Sequence, residues 1–272
     1  MYALDFEYDG QYLSDYGFVI CNFGGGTSGV DVVSAGSKIT FNKVSRNRGK
    51  AYGLSGTKYD ECVTATFEIC KNPELYDDLH ITNDEYRDIM RWLNRHEFLK
   101  FQLLNEDDKE QETCYFEASF NIDKVMVNKE LFGLQLNMET NKPFGYGQEL
   151  TVAWTVSDTT KSYILSDMSD EIGYTYPSMV ISCNKSGDLS IYNEMEDCTM
   201  VIKGCTVGEV ITIDGMTHII SSSLNSHRLY NDFNFEFFRI GNTINNRNNK
   251  ITVSLPCRLE LRYTPVIKDT PA

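Results

Sequence analysis

The sequence predicts a mainly β protein with one helix, on three grounds. Apolar and polar residues alternate at period two in segment after segment, as at Val63, Ala65, Phe67 and Ile69, or Phe132, Leu134, Leu136 and Met138. Gly, Asp and Asn turns separate these segments, most densely between Pro177 and Pro256. Aromatic residues are 12% of the 272, with 16 Tyr and 15 Phe, which suits pleated, half-buried surfaces. The length suggests roughly two domains of about 150 residues each. Periodicity stops and restarts across Asn141-Lys-Pro-Phe-Gly-Tyr-Gly147, so the expected domains are 1–145 and 146–272.

Along the first domain, Leu4–Tyr8, the Asp9-Gly10 turn and Gln11–Leu13 predict a hairpin. Phe18–Phe23 is a short strand, a Gly-rich loop covers Gly24–Gly29, and Ser37–Asn42 is a further strand. From Lys43 to Glu61 the chain is polar, Gly-punctuated and aperiodic, which predicts a long loop or extended arm. Cys62–Cys70 is a strand by its alternation. Thr82–Arg95 is the one helix: Thr82 with Glu85 makes a capping box, and Tyr86, Ile89, Met90 and Leu93 form its apolar stripe. Phe98–Leu104 and Thr113–Asn121 read as a hairpin around the acidic run Asn105–Glu112, and Phe132–Met138 closes the domain. Between Glu149 and Tyr263 the pattern predicts nine or ten short strands, no helix, and a β-sandwich. The tail after Thr264 is expected to be loose.

Charge and motifs exclude most chemistry. The net charge is −14. Acidic residues outnumber basic ones 24 to 15 up to Gly147 and 15 to 10 after it. Neither half offers a basic face for phosphates, so specific nucleic-acid binding is not expected. The eight cysteines include no C-x-x-C pair and no His at zinc-ligand spacing, so no metal is expected and the thiols are expected to be reduced and buried. Met-Tyr-Ala-Leu-Asp-Phe-Glu is not a signal peptide, and no run of 18 apolar residues predicts a membrane span.

Gly24-Gly25-Gly26-Thr27-Ser28-Gly29 fits G-x-G-x-x-G, but β-branched Val30-Asp-Val-Val follows where a phosphate-binding helix would start. The basic stretch Arg46–Lys50 stands where that motif needs an acid. No cofactor is expected. Gly26-Thr-Ser-Gly29 and Gly53-Leu-Ser-Gly56 lack the second half of a nucleophile elbow. His80, His96, His218 and His227 are scattered, and the acidic run lacks the alternation of a calcium loop. One region is basic in this acidic chain: Lys38, Lys43, Arg46, Arg48, Lys50 and Lys58. It reads either as a solvated loop or as an arm that docks on an acidic neighbouring subunit.

Phe6-Glu-Tyr-Asp-Gly10 with Ser14-Asp-Tyr-Gly-Phe18, the helix Ile81–Leu93, the junction Pro143–Gly147, Gly208–Gly215 and Asp232–Asn242 follow one another in an order that resembles the distal tail protein family of siphophages and related tail-like particles. The resemblance runs along nearly the whole chain. It implies an N-terminal β-rich ring domain, a C-terminal galectin-like sandwich and a non-enzymatic structural role at the virion tail tip, after synthesis in the bacterial cytoplasm. It also implies a homohexameric ring that joins the major tail tube protein to the tail-tip protein and its receptor-binding partners. Part of the acidic charge is expected to line the lumen of such a ring and let DNA pass without specific binding. The family's extended arm maps onto Lys43–Glu61, giving Lys43, Arg46, Arg48, Lys50, Tyr52, Lys58 and Tyr59 as intersubunit residues. The chain leaves no room for an inserted carbohydrate-binding module. A glycan-binding sandwich is the alternative, and it requires Trp154, Tyr174 or Tyr176 to line a shared concave face. A hydrolase would require converging acids or a Ser/His pair, which no motif supplies.

Overall fold

The computed structural model describes residues 5–24, 38–45, 52–59, 61–104, 114–157 and 161–269. The chain divides into two compact units, Met1–Gly147 with Ile267–Ala272, and Gln148–Val266. In chain order the second unit is an insertion near the end of the first.

The first unit is built on a seven-stranded antiparallel sheet. Strands β1 (Asp5–Tyr8) and β2 (Gln11–Tyr12) are joined by Asp9 and Gly10, both at positive φ, as a tight hairpin turn requires. After a 3-10 turn at Leu13–Tyr16 come β3 (Phe18–Cys21), a separate ribbon of β4 (Ile39–Ser45) and β5 (Tyr52–Tyr59), then β6 (Thr64–Lys71) and helix α1 (Asn83–Leu93). Strands β7 (Leu99–Leu104), β8 (Phe116–Val127) and β9 (Glu130–Thr140) complete the sheet, whose order is β2-β1-β7-β8-β9-β6-β3. The short β10 (Gly145–Tyr146) bridges back to Tyr115.

The capping box of α1 forms as its sequence predicts: Thr82 Oγ1 accepts from the Glu85 backbone N–H at 3.4 Å, and Glu85 Oε2 accepts from the Thr82 N–H at 2.8 Å. The expected stripe is only partly right. Ile89, Trp92 and Leu93 are buried, whereas Tyr86 and Met90 are half-buried. Trp92 turns inward because its indole N–H donates to the Tyr8 carbonyl at 3.0 Å and its ring stacks on Tyr16 and Phe6. Phe6, Tyr8, Phe101 and Phe120 surround it in one aromatic core.

The second unit is a sandwich. Its elements are β11 (Leu150–Val156), β12 (Lys161–Ser166), β13 (Gly173–Thr175), β14 (Ser178–Cys183), β15 (Gly187–Asn193), β16 (Cys198–Cys205), β17 (Val210–Ile213), β18 (Ile220–Ser222), α2 (Leu229–Asp232), β19 (Ile240–Asn242), β20 (Asn248–Val253) and β21 (Cys257–Tyr263). One sheet runs β11-β21-β14-β17-β18 and the other β12-β20-β15-β16, with β13 and β19 paired apart. Met179, Ile181, Ile211, Leu259 and Leu261 from the first sheet pack with Leu189, Ile191, Ile202, Ile251 and Val253 from the second in one buried cluster. The α2 turn corrects the expectation of no helix here. A single turn of four residues is too short to show periodicity.

All eight cysteines are free, but only Cys183, Cys198, Cys205 and Cys257 are fully buried; Cys21, Cys62, Cys70 and Cys114 are half-buried. Among the described residues no helix is long and apolar enough to cross a membrane.

Candidate functional site

The segment read from sequence as a loop or arm is in part a two-stranded ribbon. Strands β4 and β5 pair antiparallel from Ile39 opposite Tyr59 to Ser45 opposite Tyr52, with a bulge between Asn42 and Lys43. Among the described residues they belong to no larger sheet. The strand β5, Tyr-Gly-Leu-Ser-Gly-Thr-Lys-Tyr, lacks alternation because its own chain buries neither of its faces. Ser55 Oγ donates across the ribbon to the Asn42 carbonyl at 3.1 Å.

Ile39, Phe41, Val44 and Leu54 are all exposed on the ribbon, Phe41 by 55% and Leu54 by 61%. An isolated two-stranded ribbon is marginally stable in water. Four exposed apolar side chains on one make it a surface suited to burial by another chain. Lys38, Lys43 and Lys58 are exposed along it. Tyr59 is half-buried, its ring edge-on to Phe144 at 6.1 Å, and Phe144 leads through Tyr146 to Tyr115. This aromatic run ties the base of the ribbon to the first unit. Tyr52 pairs through its backbone with Ser45. Arg46, Arg48 and Lys50 lie outside the described residues, as do Gly25–Gly29 of the glycine-rich loop and the acidic run from Asn105 to Glu112.

The other sequence candidates separate. Trp154 stacks on Tyr163 at 4.8 Å and packs against the sandwich core. Tyr174 and Tyr176 meet each other and, through Tyr176, His218. Among the described residues Trp154 makes no ring contact with Tyr174 or Tyr176. Sequence reading missed His218 and Phe237, which join Tyr176 from two distant segments. It also missed a buried pair: Glu209 and His227 meet at 2.6 Å, eighteen residues apart, and no local motif announces them. Among the described residues no group of three or more His, Cys, Asp or Glu is placed to hold a metal ion.

Comparison with known proteins agrees with this architecture. Residues 1–142 match the family model described as phage tail protein N-terminal domain, and residues 144–263 match the one described as phage tail C-terminal domain. A prophage-derived uncharacterised protein, YomH of SPbeta in Bacillus subtilis (strain 168), is 25% identical over 215 residues, which is 77% of this chain and 80% of that protein. The crystal structure of the SPP1 Dit protein (gp 19.1), described as a paradigm of the hub adsorption apparatus in phages infecting Gram-positive hosts, superposes with a TM-score of 0.63. It does so at 12% identity, covering 97% of this chain and 99% of that one, so the two share a fold. With both domain models matched along its length, the chain belongs to the phage tail protein family that they define.

Proposed function

We propose that this protein is a structural hub subunit of a phage tail tip, and that copies of it close into a ring of six through the β4–β5 ribbon. The ribbon is the observation that carries this reading. Among the described residues it stands outside the seven-stranded sheet and the two sheets of the sandwich, exposes Phe41, Leu54, Ile39 and Val44, and carries lysines in a chain of net charge −14. A basic, apolar ribbon on an acidic protein is complementary to another copy of that protein, and such a head-to-tail contact generates rings.

The solved hub protein of the same fold supports a tail-tip hub. The proposed ring joins the tail tube protein to the tail-tip protein, and the sandwich is its galectin-like half. The role is architectural rather than catalytic. Lys43, Lys58 and Tyr59 act at the interface, and Arg46, Arg48, Lys50 and Tyr52 extend it. The acidic surplus lines the lumen in part, so that DNA passes without sticking.

Mass measurement in solution with negative-stain imaging tests the reading. Wild-type protein is expected to form closed six-membered rings, alone or on adding the tail tube protein. Phe41→Asp combined with Leu54→Asp is expected to stay monomeric with an unchanged melting temperature. A wild type that remains monomeric with the tube protein present overturns the proposal, and an assembled ring with a basic lumen overturns the charge argument.

A further inference from the structure

The second unit carries a surface separate in sequence from the β4–β5 ribbon. Three separate segments bring aromatic rings into a single line of contacts. Tyr174 meets Tyr176 edge-on at 5.5 Å, Tyr176 meets His218 at 4.4 Å, His218 stacks on Phe237 at 4.5 Å, and Phe237 meets Phe233 at 5.0 Å. Tyr174 is 57% exposed, and the Arg239 guanidinium lies 4.8 Å from its ring centre. Arg239 is itself held by Glu196, which accepts from its Nε–H at 2.8 Å. Rings fixed in this way lose little freedom when a ligand covers them.

The backbone is bent to display this surface. His218 and Phe235 have φ of 56° and 59°, in the left-handed region that bulky residues avoid. Phe235 is 64% exposed, so burial of its ring does not offset that strain. Strain of this kind gathers where a ligand is held. His218 is set by a tight turn: Asp214 Oδ1 accepts from the Met216 and Thr217 N–H groups at 2.8 Å, and the His218 N–H donates to the Asp214 carbonyl at 2.9 Å.

The same turn walls a shallow groove of about 360 Å³ on the outward face of the five-stranded sheet. Its polar lining is Ser178, Thr212, Thr217 and Ser221, with Asp214 and Arg262 adding one charge of each sign. Hydroxyls both donate and accept, and a guanidinium offers five N–H groups, of which Arg262 directs two to Glu260. Thr212 and Ser221 share one bond at 2.6 Å and keep lone pairs beyond it.

A saccharide matches both halves of this surface. One face of a sugar ring is made of C–H groups and lies flat on an aromatic ring, while its rim of hydroxyls donates and accepts in every direction. Nucleic acid, the other polymer that stacks on aromatics, would be repelled by the net charge of −14. We propose that the Tyr174–Phe237 ring line and the adjoining groove form a glycan-binding site. The C–H face of the sugar stacks on the exposed Tyr174 ring, beside Tyr176 and His218, and Asp214, Thr217 and Arg262 bond its hydroxyls. The site lies wholly in the second unit and does not depend on ring assembly.

The full chain is probed on an array of bacterial surface polysaccharides and their oligosaccharides, and the best oligosaccharide is then titrated. Wild type is expected to bind at least one. Tyr174→Ala and Arg262→Ala are each expected to weaken binding at least tenfold. Tyr174→Phe, which keeps the stacking plate, is expected to retain most of the affinity, and Ile164→Ala on the other sheet all of it. Ring assembly is expected to be untouched by these variants. If Tyr174→Ala does not fold, saturation transfer from the aromatic protons of the wild type to sugar C–H protons decides, and its absence overturns the proposal. Failure of every saccharide to bind also overturns it, as does binding indifferent to both substitutions, or capture of a protein by this face with no glycan signal.

Discussion

His227 faces an acceptor on each side of its ring. Nδ1 lies 2.6 Å from Glu209 Oε1, and Nε2 lies 2.9 Å from the Lys203 carbonyl oxygen, with Asp232 Oδ2 at 3.6 Å. A neutral imidazole has one N–H, so only the cation satisfies both sides. Burial pushes His227 down, but its bond to Glu209, the Glu209 charge and the Lys203 carbonyl together hold it above the usual histidine range. Burial likewise pushes Glu209 up, but hydrogen bonds from Ser222 and His227 hold it below the usual carboxylate range. The His227 contribution is complete below its ordinary value of 6.5 and fades as pH rises through the raised one. The Glu209 contribution is complete above its ordinary value of 4.5 and fades as pH falls through the lowered one. For this pair the melting temperature is therefore expected to be highest between those two values and to fall on the alkaline side. A flat profile from pH 6 to 9 would show that the ring is not cationic. His227→Ala is expected to cost about 3 kcal/mol in urea unfolding at pH 6, because it strands the fully buried Glu209 carboxylate. Sequence could not disclose this pair, since the register of the sandwich, not local spacing, brings it together.

At the scale of elements, α1 shows what a sequence discloses well. Thr82 and Glu85 stand three apart and cap each other wherever a helix starts, so the box could be read before any fold was known. Glu85 also holds Lys71 at 2.8 Å, which ties the first turn of α1 to the sheet. Thr82→Ala is expected to cost about 1 kcal/mol in chemical denaturation. Glu85→Ala is expected to cost more, because buried Lys71 then loses its carboxylate. Trp92 escaped the stripe because its inward turn depends on Tyr8, eighty-four residues away. The ribbon was half-legible. Its basic residues stood out against an acidic chain, but β5 is strand-like only through its pairing with β4, and an element that buries nothing of its own prints no alternation. Ribbon amides are expected to exchange with deuterium quickly in the free subunit and to be protected after assembly. Equal protection in both states would rule the ribbon out as the contact.

Among the described residues there are two apolar cores with no buried residue in common, one around Trp92 and one between the two sheets of the sandwich. Residues 148–266 are expected to fold alone and melt cooperatively, checked by circular dichroism of that fragment; a fragment without a cooperative transition would show that its core needs the rest of the chain. Alternation pauses at Pro143–Gly147, beside the boundary between the two compact units after Gly147. The return of the chain to the first unit at Ile267 was not readable, since so short a tail carries no pattern. In the proposed ring, the ribbon makes every joint directional. A row of copies linked by ribbons always leaves one ribbon bare and one receiving face empty. The copy that completes the circle makes two joints in one step, and the second of them forms at the high local concentration of tethered ends. Partial arcs are then scarce at equilibrium. In such a ring, assembly would be a threshold in subunit supply, passing from single copies to finished circles, and the ribbon would govern when a tail tip begins as well as what holds it together.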